Sequence, residues 1–509
     1  MATNEWSAGL KKFLSLSVLI MFALGFFAGI PILLIFSTLS LWLREAGVER
    51  DAVTFFSWAA LGYSFKFTWA PLVDRLPIPY LTAKLGRRRS WLLLSQFFIT
   101  LAIFLIGNTD PSTSEESLKF MALAAVLLGF SSATQDIGVD AYRIESDSTD
   151  MQATLSATYI AGYRLGMILA GAGALFMATY FGAVEGTYNY PAWKLTYYVM
   201  AAVMFCGMVI TLIIPEPKTA KDVSKEFKTS SYVRFFGFFL IVATVFALSF
   251  FYSDVWLSPI HNGLVSVLGN VLGGFLSETL RLGVAIGIAV AIAMLTFKVG
   301  VVDRPMAVKI YVDPIKDFFD RYGKSTAILL LALVGLYRIS DIVLGVVSNV
   351  FYQDMGFSKN DIATVVKTYG LIMSLVGGFL GGLLTVRFKL IHVLMWGAIL
   401  SAATNLLFLL LSKSNGNLAM FYVVISADNL AAGLASAAFV AFLSSLTNIS
   451  FTAVQYAIFT SLMTLLPKFI GGYSGTISTA IGYPGFFTVT ALMGIPVIYI
   501  VWLAGRKLT

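Results

Sequence analysis

Apolar runs long enough to cross a bilayer recur about fourteen times in this chain, and no other feature restricts its fold as much. A helix needs about 20 predominantly apolar residues to span the hydrocarbon core. Inside that core each backbone N–H and C=O must be satisfied within its own segment, which leaves helices as the solution for runs of this length. Such stretches lie at 13–42, 52–73, 90–107, 118–145, 153–181, 195–215, 232–252, 264–297, 325–353, 362–386, 390–412, 418–446, 452–470 and 483–505. Of the 509 residues 58% are hydrophobic and 12% charged, where a soluble protein would carry about a quarter charged. A soluble multidomain enzyme is thereby excluded. The single Cys206 rules out an internal disulfide framework, and two histidines leave no plausible zinc or haem set, so neither metal nor cofactor is expected. The chain reads as an all-α polytopic membrane protein.

The eighth run is the weakest, because Glu278 and Arg281 interrupt it; either all of 264–297 crosses or only 280–297 does. Lys11 and Lys12 precede about thirty apolar residues with no small-x-small cleavage site, which predicts an uncleaved first helix. With the N-terminus inside and fourteen crossings, 23 of the 35 Lys and Arg fall in inside segments, 7 outside and 5 within spans. That asymmetry predicts cytoplasmic N- and C-termini and an even number of helices. It also accounts for the net charge of +8, which faces anionic headgroups and calls for no nucleic acid.

The chain repeats itself. Leu43-Arg44-Glu45-Ala46-Gly47-Val48 closes the first run and Tyr352-Gln353-Asp354-Met355-Gly356-Phe357 the ninth, each with an acid two residues before glycine and an apolar residue after it. That register predicts two six-helix halves, 13–215 and 325–505, separated by residues 216–324, which hold two basic cytosolic linkers and two additional spans. The second linker, from Arg304-Pro305 to Phe318-Phe319, has the pattern of an interfacial amphipathic helix. Paired six-helix halves around a midplane site are the architecture of major facilitator transporters. Ala70-Pro71-Leu72-Val73-Asp74-Arg75 followed by Gly86-Arg87-Arg88-Arg89 resembles that superfamily's loop signature, stretched by an insert from Leu76 to Leu85. The resemblance implies gating roles for Asp74, Arg75, Arg87 and Arg88; the alternative is a plain positive-inside loop.

Longer stretches narrow the likeness. Phe65-Lys66-Phe67-Thr68-Trp69-Ala70-Pro71, Ala133-Thr134-Gln135-Asp136-Ile137-Gly138-Val139-Asp140-Ala141 and Gly162-Tyr163-Arg164-Leu165-Gly166-Met167 resemble the muropeptide permease (AmpG) family. Tyr337-Arg338-Ile339-Ser340-Asp341, Asp428-Asn429-Leu430-Ala431 and Phe451-Thr452-Ala453-Val454-Gln455-Tyr456 extend the likeness into the second half, with Asp428 standing where Glu is usual and Arg338 where Lys is common. The resemblance implies a monomeric, proton-coupled importer of N-acetylglucosaminyl-1,6-anhydromuramyl peptides in the bacterial inner membrane. It would serve peptidoglycan recycling, with the link to β-lactam resistance that such recycling carries. Eukaryotic acetyl-CoA transporters are the nearest alternative within the same branch.

Charges inside spans are costly and mark either a pathway or a structural ion pair. Asp136 and Asp140 share one helix face, as do Arg338 and Asp341, while Lys66, Arg164, Lys367 and Asp428 lie on other spans. For a peptide carboxylate the candidates are Lys66, Arg164, Arg338 and Lys367, with Gln135 beside them. A proton carrier needs a carboxylate tuned by desolvation and a nearby cation, which Asp136, Asp140, Asp341 and Asp428 can provide. Tyr63, Trp69, Tyr163 and Tyr369 are candidate platforms for sugar faces, although packing is the commoner use of such aromatics. Arg143 and Glu145, near a helix end, are expected to snorkel to the interface. Glu278 and Arg281 are expected to pair with each other, and His261 to sit in an outside loop. Gly25, Gly29 and Pro31 predict a bent or closely packed first helix, and the glycine pairs at 377–378 and 381–382 carry the same two readings. No phosphate loop, nucleophile set or selectivity filter is present, so an enzyme or a channel is not expected.

Overall fold

The computed structural model describes residues 15–48, 63, 65–183, 187–217, 229–300, 302, 304–357, 359–471 and 474–508. Helices make up its architecture. The first, α1 (Leu16–Leu33), continues through a π-turn at Leu34–Thr38 into Leu39–Glu45. There follow α2 (Ala70–Arg75), α3 (Arg87–Gly107), α4 (Glu115–Ser146), α5 (Gln152–Ile168, continuing through a π-turn to Tyr180) and α6 (Tyr190–Ile213). Next come α7 (Thr229–Lys298), α8 (Asp313–Leu336), α9 (Ile339–Asp354), α10 (Gly370–Arg387) and α11 (Leu390–Leu411). The chain closes with α12 (Leu418–Leu446), α13 (Thr452–Gly471), α14 (Ser474–Leu492) and α15 (Gly494–Leu508). Among the described residues 13 helices are long and apolar enough to cross a membrane, and most of the expected second span, 52–73, lies outside them.

By packing, these residues fall into two compact units. The first takes in the described residues of 1–221, 363–401 and 422–462, and the second those of 222–362, 402–421 and 463–509. Within the first unit α1 and α5 form the most intimate pair. A Cβ on Gly25 or Gly29 would stand 2.3 or 2.0 Å from the carbonyl oxygens of Tyr159 and Tyr163, and one on Gly162 or Gly166 would strike those of Phe22 and Phe26. The two Gly-x-x-x-Gly faces are therefore reciprocal, and the glycines of the first helix serve contact with a neighbour. In the same way Gly377 and Gly381 of α10 lie against the α12 backbone at Leu430 and Leu434. Beyond the glycine contact α1 and α5 each carry a π-turn, and the Thr38 hydroxyl donates 2.7 Å to the Ala170 carbonyl across the two.

The repeated stretches build the same device twice. Gly47 and Gly356 both adopt left-handed backbone, at φ +83° and +84°. Val48 N–H donates to the Leu43 carbonyl at 3.0 Å, and Phe357 N–H to the Tyr352 carbonyl at 3.2 Å. Each is a glycine-capped helix end with the hydrogen bond reaching back five residues. The acids of the repeat are used alike as well: Glu45 accepts 2.8 Å from the Trp193 indole on α6, and Asp354 accepts from the Tyr483 hydroxyl on α14.

The middle of the chain departs from expectation. α7 is a helical hairpin broken at Gly269, whose φ of +76° only glycine adopts readily, so the turn falls inside the predicted eighth span. Its arms run antiparallel, with Phe238 against Phe297 at 5.0 Å and the Ser277 hydroxyl 3.0 Å from the His261 ring nitrogen Nδ1. His261 thus sits in a helix and not in a loop. Arg281 donates to the Ser253 hydroxyl at 3.3 Å and lies over the Phe250 ring, while the side chain of Glu278 falls outside the described residues. The second linker is helical from Arg304 to a break at Gly323, with Met306, Ala307, Ile310, Pro314 and Phe318 buried at roughly helical spacing.

Candidate functional site

Two polar clusters occupy the first unit. The outer of these in sequence begins at Lys66, which opens a short 3₁₀ turn (Lys66–Thr68) just ahead of α2 and is almost fully buried. Its ammonium lies 3.8 Å from the Asp136 carboxylate and 3.6 Å from that of Asp140, the two acids one turn apart on α4. Arg143, one further turn along, reaches back 3.5 Å to Asp140. The arginine is fixed from three sides: it donates 2.8 Å to the hydroxyls of Ser156 on α5 and Ser444 on α12, and its guanidinium stacks 5.0 Å over the Tyr456 ring of α13. Two cations and two acids balance, as buried charges must. Tyr63, Tyr159 and Tyr163 lie close enough to feel the Asp136 charge. Gln135 sits one residue before Asp136 and is fully buried.

The second cluster gathers the loop signature. Arg88 is fully buried and forks onto two acids: its guanidinium donates 2.7 Å to Asp74 and 3.0 Å to Glu145. It also donates 2.7 Å to the Thr452 hydroxyl at the start of α13, which in turn donates to Glu145. The other oxygen of Asp74 accepts the Val454 N–H at 3.0 Å. Arg87 donates 2.7 Å to the Asp74 carbonyl, and Arg75 reaches the Ser450 carbonyl at 3.5 Å and lies 5.4 Å from the centre of the Phe451 ring. Three of the loop's charged residues, Asp74, Arg75 and Arg88, are thus tied directly to the segment 450–454, and Arg87 is tied to Asp74. Glu216, just past α6, caps the opposite end of the motif: its two oxygens accept the N–H groups of Arg88 and Arg89 at the start of α3. A Cβ on Gly86 would stand 2.4 Å from the Glu216 carboxyl carbon, so the glycine of the signature makes room for that cap. Burial pushes the Glu216 carboxyl above the usual carboxylate range even though both N–H groups favour its charge.

Arg143 and Glu145 do not snorkel to the interface. Both are buried and bonded inside the protein, because partners from α5, α12 and α13 close around the end of α4. Trp69 is engaged as well, its indole donating 3.1 Å to Thr134 with Phe130 packed at 4.6 Å. Arg164 is half-buried on α5 and Asp428 half-buried on α12. Lys367 is exposed in the π-turn ahead of α10, and nearby Tyr369 shares a 2.8 Å hydrogen bond with Ser426. In the second unit Arg338 and Asp341 pair at 3.0 Å where the helix is interrupted between α8 and α9. The reading from sequence missed Glu216, Thr452, Ser444 and Tyr456. Thr452 and Tyr456 stand in a motif already singled out, but only the fold says that it meets the arginines.

A protein of Rickettsia conorii named putative transporter AmpG 4 is 29% identical over 96% of this chain and 96% of its own. The anhydromuropeptide permease of Escherichia coli K12 is 27% identical over 94% of this chain and 77% of its own. The chain is a relative of the AmpG permeases. Its fold matches that of the major facilitator proton:xylose symporter XylE, with a TM-score of 0.60 at 12% identity, over 96% of this chain and 94% of that one. The major facilitator transporter FucP in its outward conformation matches with a TM-score of 0.58 at 10% identity, over 96% and 98%. The family described as acetyl-coenzyme A transporter 1 matches residues 17–257. This AmpG relative is accordingly a multi-pass membrane transporter of the major facilitator fold and not an enzyme.

Proposed function

We propose that this transporter carries anhydromuropeptides (GlcNAc-1,6-anhydroMurNAc peptides) from the periplasm across the bacterial inner membrane for peptidoglycan recycling, driven by protons. The observation that carries the reading is the near end-to-end similarity to the permease of E. coli that is named for this substrate. The halves 13–215 and 325–505 are the moving bodies of a monomer working by alternating access, with both termini cytoplasmic. The paired glycine-capped helix ends at Gly47 and Gly356 support that internal repeat.

In the buried cluster Arg143 holds Asp140, whereas Asp136 has Lys66 alone as its ion-pair partner among the described residues. Asp136 is therefore the carboxylate we assign to the travelling proton. Protonating it removes one of the two acids that share Lys66 and leaves the ammonium free to take a substrate carboxylate. Arg164, Arg338 and Lys367 serve the remaining carboxylates, Tyr63, Tyr163, Tyr369 and Trp69 line the sugar, and Asp341 and Asp428 balance charge during the cycle. Asp74, Arg75 and Arg88, joined to residues 450–454, and Arg87, joined to Asp74, form the cytoplasmic gate in its closed state.

The alternative substrate, acetyl-CoA, is favoured by the family match over 17–257. Uptake of labelled anhydromuropeptide into proteoliposomes under an inward proton gradient tests both. Accumulation that collapses with the gradient and resists competition by acetyl-CoA supports the reading; transport of acetyl-CoA alone refutes it.

A further inference from the structure

Gln135 differs from the other buried carboxamides of this protein. It is 1% exposed, and among the described residues neither its Nε2 nor its Oε1 has a hydrogen-bond partner. Gln96 at least accepts from the Thr211 hydroxyl, Gln152 donates to three carbonyls at the end of α4, and Asn405 donates to Ser340. An unsatisfied buried donor or acceptor destabilises the fold, and leucine at this position would carry neither. Its two neighbours in sequence are engaged elsewhere. Thr134 on one side is committed to Trp69, and Asp136 on the other to Lys66.

A donor and an acceptor side by side suit a neutral group that is itself both. A carboxylate would use only Nε2 and a cation only Oε1, and the four charges of the adjoining cluster already balance. From this we infer that Gln135 reads an amide of the transported ligand. Nε2 donates to the amide carbonyl oxygen, and Oε1 accepts an N–H or O–H from the ligand beside it. The inference rests on the transporter reading of this site but not on the choice of substrate. Secondary amides occur both as the acetamido groups of N-acetylated amino sugars and in the pantetheine arm of coenzyme A thioesters.

The test measures binding to the purified full-length protein by calorimetry, with two matched ligand pairs. One is the GlcNAc–anhydroMurNAc disaccharide against its de-N-acetylated form; the other is acetyl-CoA against 3′,5′-ADP, which lacks the amides. Wild type is expected to prefer the amide-bearing member of one pair by at least about tenfold, since a site built to hydrogen-bond rejects a ligand that leaves it unpaired. Gln135→Leu is expected to erase that preference while its ligand-free melting temperature stays level or rises. Gln135→Met, which keeps the length of the side chain but has neither the N–H donor nor the carbonyl acceptor, should erase it too. Preference confined to the coenzyme pair would refute the muropeptide reading and leave the amide inference standing. A preference that persists in both variants, a wild type that distinguishes neither pair, or a ligand-free Gln135→Leu that melts lower would each overturn the inference.

Discussion

Replacing Arg88 by alanine would leave Asp74 and Glu145 buried without their shared cation. Removing one partner of a buried ion pair costs about 3–5 kcal/mol. The detergent-solubilised variant should melt well below wild type, and Arg88→Lys should recover little, because a single ammonium cannot reproduce the fork onto Asp74, Glu145 and Thr452. At the other end of the same helix Asp110 provides a pH signature. Burial raises its carboxyl, but donations from the Tyr188 hydroxyl, the Ser112 hydroxyl and the Ser112 N–H outweigh that and hold it below the usual carboxylate range. A depressed pKa stabilises the fold above the unfolded value and is lost as pH falls through the folded one. Asp110→Asn should therefore lower the melting temperature at neutral pH, and the gap to wild type should close as both are acidified below about pH 4. At this scale the sequence was uneven in what it disclosed. Lys66, Asp136 and Asp140 stood out because charge is rare in apolar runs, whereas Glu145 near a helix end looked solvated, since nothing local announces a partner 307 residues away.

The contact between α1 and α5 is set by backbone meeting backbone, which side-chain rearrangement cannot relieve. Gly29→Val would place its Cβ about 2 Å from the Tyr163 carbonyl oxygen and should cost at least the upper end of the ~1–3 kcal/mol typical of overpacking, read as loss of folded protein in size-exclusion chromatography. Gly47 is the contrasting case. It has open space around it but a left-handed backbone, so Gly47→Val should cost about 1–2 kcal/mol and Gly47→Asn appreciably less, as measured by thermal unfolding. Elements of this kind were half legible. Glycine, acid and apolar residue in fixed order marked the two helix ends because a cap is a local structure. That Gly25 and Gly29 face Gly162 and Gly166 was not readable, since periodicity gives a face but not its neighbour. The π-turns at 34–38 and 169–173 left no sequence mark at all.

For the whole molecule, hydropathy was enough to count spans, 13 of the fourteen expected being present among the described residues, and it misplaced only a boundary, where the chain turns at Gly269 inside the eighth apolar run. The predicted consequence for transport lies with the acids. Asp136→Asn should abolish gradient-driven accumulation in proteoliposomes yet preserve counterflow exchange, and Asp341→Asn should likewise abolish proton-driven uptake; full concentrative uptake by either would refute its role. One feature also bears on how the protein is made. Asp74, Arg88 and Glu145 leave the ribosome early, but Thr452 and the Val454 amide, which complete their bonding, come more than 300 residues later. Until then a nascent chain holds two acids, an arginine and an unanswered carboxylate oxygen at the end of a finished helical bundle. Such a half-built polar knot is what membrane quality control can recognise, and a chain that stops before residue 452 would be a natural substrate for degradation, whatever its first helices have achieved.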